Sequence, residues 1–303
     1  MTSRILVTGA SGFVGQRVLP HLVERGFEVV ALGRSDPPVS REGVTYVRCD
    51  LLDPDQTRRA VKDAQASHLL HLAWRAVVSG LWSAPENMDW LLAGLHLVRC
   101  FQESGGKRAT VVGSCGEYDW SAGLCKEGVT PLLPNTYYGS VKLALYHALN
   151  GFSLATKMEL AWGRIFFLYG PGEHASRLGA SVVTSLLSEQ PALCSHGMQL
   201  RDYMHVDDAA SGLAALAASS LVGEFNLATG VAVRVRDVIA SLGEAAGRPD
   251  LIRLGARPAP GHEPPLIVAD MGKTKQSGLD WSPRFSLEDG AIDTVRWFRD
   301  NRE

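Results

Sequence analysis

The sequence has no paired cysteines. Cys49, Cys100, Cys115, Cys125 and Cys194 are five, an odd number, with no C-x-x-C motif and no zinc-site spacing. That speaks against both a disulfide framework and a metal centre. It also lacks an excess of either charge. Thirty Lys and Arg stand against 32 Asp and Glu, a net charge of −2, which gives no electrostatic ground for nucleic acid or an anionic membrane as partner. No apolar run is long enough to cross a bilayer, and there is no internal repeat or low-complexity tract. A core strand follows Met1 within a few residues and leaves no room for a signal peptide, so a reducing, cytoplasmic setting is expected.

What is present is an α/β chain. Its 303 residues are 46% hydrophobic and 20% charged, enough for one large α/β unit or a main domain with a smaller one. The organising stretch is Leu6-Val7-Thr8-Gly9-Ala10-Ser11-Gly12-Phe13-Val14-Gly15. Three glycines at intervals of three follow the apolar run Ile5-Leu6-Val7. This spells a strand, a sharp turn and a helix start, where backbone amides can face a pyrophosphate. A helix from Gly12 to about Arg25 contains Pro20, which should weaken or kink it, and Gly26 stops it. Phe27 to Leu32 completes a strand–helix–strand unit of about thirty residues, the frame a dinucleotide site requires.

The second strand ends Leu32-Gly33-Arg34-Ser35, without the acid that normally bonds the adenine ribose in an NAD site. Arg34 and Ser35 suit the extra phosphate of NADP; NADP(H) is favoured and NAD(H) remains open. A third strand, Val44 to Val47, leads to Asp50, assigned to adenine with Leu51 beside it. Asp53 is assigned to capping the helix Pro54–Ala64. A fourth strand, Leu69 to Ala73, brings Leu72 and Ala73 to the cofactor. Trp74 and Trp82 follow, as site lining or as core. An amphipathic helix, Met88 to Gln102, precedes a fifth strand, Ala109 to Gly113. That strand runs into the polar cluster Ser114-Cys115-Gly116-Glu117-Tyr118, where the ligand crevice of an open parallel sheet belongs.

Tyr138 and Lys142 lie four apart on one face of a helix running to Leu149. An ammonium beside a phenol favours the phenolate, so Lys142 is expected to make Tyr138 a proton carrier near neutrality.

With these residues assembled, the chain resembles the extended short-chain dehydrogenase/reductase superfamily, in its nucleotide-sugar epimerase, dehydratase and ketoreductase branch. The likeness rests on Thr8 to Gly15, Asp50-Leu51-Leu52-Asp53, His71-Leu72-Ala73, Ser114-Cys115, and Tyr138 with Lys142. It continues through Gly163 to Gly172, Gln199 to Asp208, Phe225 to Gly230 and Leu279 to Pro283. The resemblance implies a Rossmann-type, doubly wound parallel sheet over 1–170 and about 201–230. A smaller substrate lobe would cover about 171–200 and 231–303. It makes Tyr138 the acid/base, Lys142 its partner and nicotinamide-ribose ligand, and Gly9, Gly12 and Gly15 the pyrophosphate loop. Arg201 takes the substrate's phosphates, unless it is a surface partner of Asp202. Asn226 sits at the substrate junction, or satisfies loop backbone, and Tyr169 and Trp74 join the substrate side. A homodimer is also implied.

The departures matter. Cys115 stands where the family has Ser or Thr, so either Ser114 shifts to serve the carbonyl or Cys115 and Glu117 form an acid/base pair, as in the sugar dehydratases. Phe167 replaces a common Asn. The expected activity is reduction of a nucleotide-linked 4-keto sugar by NADPH. The alternative is dehydration or epimerisation with a retained cofactor. Reduction of a non-sugar ketone is opposed by the Arg201 segment, and a non-catalytic cofactor sensor by the intact Tyr138–Lys142 pair. In the second half, Asp207-Asp208 is expected to cap an alanine-rich helix, Ala209 to Ala218, with further helices at Leu178 to Leu187, Val235 to Ala246 and Leu287 to Arg299.

Overall fold

The computed structural model describes residues 3–34, 40–74, 80–259, 261 and 263–301. Seven parallel strands form the central sheet: β1 (Arg4–Thr8), β2 (Glu28–Gly33), β3 (Val44–Arg48), β4 (His68–His71), β5 (Arg108–Ser114), β6 (Glu159–Ile165) and β7 (Gly223–Leu227). Their order across the sheet is 7-6-5-4-1-2-3. Leu6 is in register with both Val30 and Leu69, so β1 is central. The order reverses between β1 and β4, and the crevice beyond their carboxyl ends is where such sheets bind ligands. The doubly wound parallel sheet expected from the sequence is therefore present.

Helices cover both faces. α1 (Gly15–Glu24) lies on one face, and α2 (Pro54–Ala64), α3 (Asn87–Glu103) and α4 (Tyr137–Thr156) lie on the other. Asp53 caps α2, accepting from the amides of Asp55 at 2.9 Å and Gln56 at 3.0 Å, while Pro54 opens the helix where no N–H is needed. Pro20 does not break α1. Val18, Leu19 and Leu22 beside it are 0–1% exposed, and that burial outweighs one missing backbone bond. α4 runs past Leu149 to Thr156, because Gly151 sits where nothing crowds it and the chain turns left-handed only at Lys157.

Beyond the sheet come α5 (Leu178–Leu187), α6 (Val206–Ala218), α7 (Val235–Ala246) and α8 (Leu287–Asp300). α5, α7 and α8 share a separate apolar cluster. A four-stranded sheet joins Leu124–Cys125, Leu200–Arg201, Val233–Arg234 and Leu266–Ala269. α6 is buried almost throughout and packs with α1 against the central sheet. Its cap differs from expectation. His205 Nδ1 accepts from the Asp207 amide at 3.4 Å, and the two acids lie inside the first turn, where the helix dipole favours them. Asp208 instead accepts from the amides of Arg284 (2.9 Å) and Phe285 (3.0 Å), tying the segment before α8 to α6. Among the described residues no helix is long and apolar enough to cross a membrane.

Candidate active site

The turn after β1 is shaped by contact. Gly9 has φ +72°, and a β-carbon there would lie 2.8 Å from the Ala73 nitrogen; one on Gly15 would lie 2.0 Å from the Gly9 carbonyl. Both must be glycine for β1, α1 and the segment after β4 to approach so closely. The result is a cradle at the amino end of α1, at the sheet's switch point, matching the backbone requirements of a dinucleotide pyrophosphate.

Two connected spaces open from this turn. One is a groove of about 630 Å³ lined by Ser11, Gly33, Arg34, Asp50 and Leu51. The other is a cavity of about 260 Å³ holding Phe13, Val14, Gly15 and Leu72 on one side and Ser114, Cys115, Tyr138 and Lys142 on the other. Gly9, Gly12, Ala73 and Trp74 border both. The glycine turn and the Tyr138–Lys142 face thus meet around one space. Ser35 falls outside the described residues. Arg34 is exposed at the end of β2, and Asp50 Oδ1 accepts from the Leu52 amide at 3.1 Å.

Tyr138 is held by aromatic edges, with Trp74 at 6.1 Å and Trp82 at 5.6 Å between ring centroids. Burial pushes its ionisation well above the ordinary range, and the hydrogen bond with Ser114 only partly opposes this. Lys142 is 4% exposed and donates to the Val112 carbonyl at 3.0 Å. Burial brings its pKa down to about 7, against the opposing pull of Glu117. The expected acidification of Tyr138 by Lys142 is not seen here: desolvation dominates both groups, and Lys142 is not among the groups that shift the phenol.

The expected Cys115/Glu117 acid–base pair does not share the cavity. Glu117 is fully buried and is not among the cavity's lining residues. It accepts from Arg164 Nε at 2.7 Å, Trp162 Nε1 at 3.0 Å and the Ser114 amide at 2.8 Å. Cys115 borders the cavity, but burial raises its thiol far from thiolate formation.

Arg201, Tyr169 and Asn226 line neither space. Arg201 is buried, donates to Glu263 at 2.9 Å and lies over the Phe167 ring. The surface pair with Asp202 does not form, because Asp202 accepts from Thr229 Oγ1 at 2.6 Å and the Gly230 amide at 2.8 Å. Tyr169 packs its ring edge-on to His205 and its hydroxyl onto Gly290. Asn226 takes the Tyr118 hydroxyl at 2.8 Å and donates to the Cys125 carbonyl at 2.9 Å. Arg177, which sequence reasoning missed, does line the cavity, is exposed, and forms no ion pair among the described residues. The one signal for it was its place just before α5, after the Tyr169-Gly170-Pro171-Gly172 turn.

A parallel sheet of this order, a glycine cradle at its switch point and a tyrosine–lysine pair across one cavity define a nicotinamide-dependent enzyme of the short-chain dehydrogenase/reductase type. The chain belongs to the NAD-dependent epimerase/dehydratase family, whose profile matches residues 5–228, and so to the extended, nucleotide-sugar branch of that superfamily. It is similar to the dTDP-6-deoxy-L-talose 4-dehydrogenase (NAD(+)) of Aggregatibacter actinomycetemcomitans, 25% identical over 78% of this chain and 87% of that protein. It is also similar to the dTDP-4-dehydro-6-deoxy-D-allose reductase of Streptomyces bikiniensis, 27% identical over 97% and 96%. Among solved structures, the UDP-glucose 4-epimerase of Thermus thermophilus in complex with NAD superposes with a TM-score of 0.87. It is 26% identical, covering 99% of this chain and 100% of that one.

Proposed function

We propose that this enzyme reduces the 4-keto group of a nucleotide-diphosphate sugar, with NADPH as the preferred reductant. The observation that carries the reading is the makeup of the cavity. Among the described residues no carboxylate lines it, and its hydroxyl groups are Tyr138 and Ser114. Elimination of water needs a second acid or base beside the tyrosine; Glu117, which would supply it, is spent on Arg164. Reduction of a ketone needs one proton at one oxygen, which a half-buried phenol can give.

The glycine cradle, Arg34, Asp50 and Lys142 are the residues that would hold the dinucleotide, and the reduced nicotinamide supplies a hydride when bound. The protein's own part is local. Tyr138 and Ser114 bond the carbonyl oxygen, Tyr138 passes its proton to that oxygen, and Lys142 in the charged form stabilises the phenolate left behind. Arg34 supports NADPH over NADH, because no acid stands at the end of β2 among the described residues and a guanidinium suits a ribose phosphate. The helices and small sheet around residues 171–200 and 231–303 supply the substrate side.

Epimerisation with a retained cofactor is the second reading, supported by the likeness to the Thermus thermophilus epimerase. Incubation with a panel of nucleotide 4-keto sugars, NADPH and NADH separates the two. Reduction consumes NADPH and adds two hydrogens to the product mass. Tightly co-purifying nucleotide and an isomeric product without NADPH consumption overturn reduction in favour of epimerisation; loss of water establishes dehydration.

A further inference from the structure

We infer that Trp74 is a positioning residue, its indole face holding the Lys142 ammonium charged and aimed beside Tyr138. This rests on the reading above only in that Tyr138 and Lys142 run the proton transfer. The ammonium lies 3.9 Å from the centroid of the Trp74 ring. At that distance, with Lys142 itself buried, the negative π face is a strong partner for a cation. Lys142 has little else. An ammonium carries three donors, and among the described residues its hydrogen bond to protein is the one to the Val112 carbonyl.

The indole cannot drift. Its Nε1 donates to Asn87 Oδ1 at 2.8 Å. Asn87 is itself fully buried and donates to the carbonyls of Leu81 at 2.9 Å and Ala84 at 3.0 Å, so its amide cannot flip without losing both. The same indole meets Tyr138 edge-on. One rigid side chain therefore touches both members of the pair. A residue there for packing alone has no need of a flat π surface over a charge or of a buried asparagine to fix its rotation.

The groups that act on Lys142 are few. Glu117, on the turn after β5, favours the charged form and is itself shared with Arg164. His71, on β4, is held neutral by burial, with its pKa near 3. Tyr138, one turn back on α4, is neutral. Burial drives Lys142 toward the neutral amine, and a π face 3.9 Å from the ammonium opposes that.

The test reads Lys142 directly. Lys142 is one of seven lysines, so its 13Cε resonance can be assigned and titrated by NMR in the full chain, in wild type, Trp74→Phe and Trp74→Leu, with thermal melts alongside. Trp74→Leu should lower the Lys142 midpoint by about one pH unit or more, the size expected for losing a desolvated cation–π contact. Trp74→Phe should fall between. The high-pH limb of kcat should move down with the midpoint. An unchanged or raised midpoint in Trp74→Leu overturns the inference. If Trp74→Leu does not fold, Trp74→Phe decides alone: a lowered midpoint supports the inference and an unchanged one overturns it. Should the midpoint move while wild type turns over no nucleotide 4-keto sugar, the inference stands and the proposed activity falls.

Discussion

Two charged clusters brace the carboxyl end of β5. Lys142 holds the Val112 carbonyl from the cavity side, and Glu117 holds the Ser114 amide from the core side. The core cluster is paired: Glu117 accepts from Arg164, Trp162 and backbone. The cavity cluster is not. Its amine is pushed down to about 7 and its phenol is pushed up, both by burial with few partners. The difference teaches that a titratable residue near an active site is judged by where its lone pairs and protons go. Nearness in sequence placed Glu117 with the chemistry; its partners place it with the scaffold.

The comparison breaks most sharply at Tyr138. Tyr138→Phe should lower kcat by about 10²- to 10⁴-fold, the range for losing a positioned acid, while NADPH affinity and thermal stability hold. A melt depressed as far as the rate would move Tyr138 to the scaffold side. The opposite pattern is expected for Glu117→Gln, which leaves a fully buried guanidinium without its counter-ion. It should cost about 3–5 kcal/mol in urea unfolding. The double variant Glu117→Gln/Arg164→Met should recover most of that cost. Full stability with a collapsed kcat would return Glu117 to the chemistry.

The parts legible in the sequence were those with local physical signatures. Pro54 after Asp53 marks a helix start, and the ends of α2 match expectation because cap and proline are adjacent. The glycine spacing gave the cradle, since its contacts join residues 9 and 15 within one turn. The Tyr138–Lys142 pair shared a face by helix geometry alone. What stayed hidden depends on distant partners. Arg201 is paired with a glutamate 62 positions away. Glu117 is consumed by Arg164, 47 positions on. Arg177 is one arginine in a loop, with no periodicity to distinguish it from a solvated side chain.

The groove offers a milder test of the same distinction. Arg34 is exposed and lines open space, so losing it should affect binding and leave the fold unchanged. Arg34→Leu should weaken NADPH by roughly tenfold to a hundredfold, the range for one charge-assisted bond, and leave NADH unchanged by isothermal titration. Equal losses for both nucleotides would remove the argument for NADPH.

The smallest effect, taken per pH unit, is one of titration, and it separates the clusters by sign. Lys142 releases its proton at about 7 in the folded chain and at about 10.5 when unfolded. Between those values the unfolded chain holds the extra proton, so stability should rise with pH, by up to about 1.4 kcal/mol per unit. Turnover should fall over the same range, because the amine no longer supports the phenolate. Lys142→Met should flatten the stability slope above pH 7 in urea melts. It should leave a second slope intact below pH 6.5, where His71, held neutral down to about 3, makes the fold weaker as pH falls. Activity and stability moving in opposite directions above pH 7 are what a charged group buried for chemistry predicts. If both fell together, Lys142 would be a structural cation, and the cavity cluster would differ from the Glu117–Arg164 pair in exposure but not in kind.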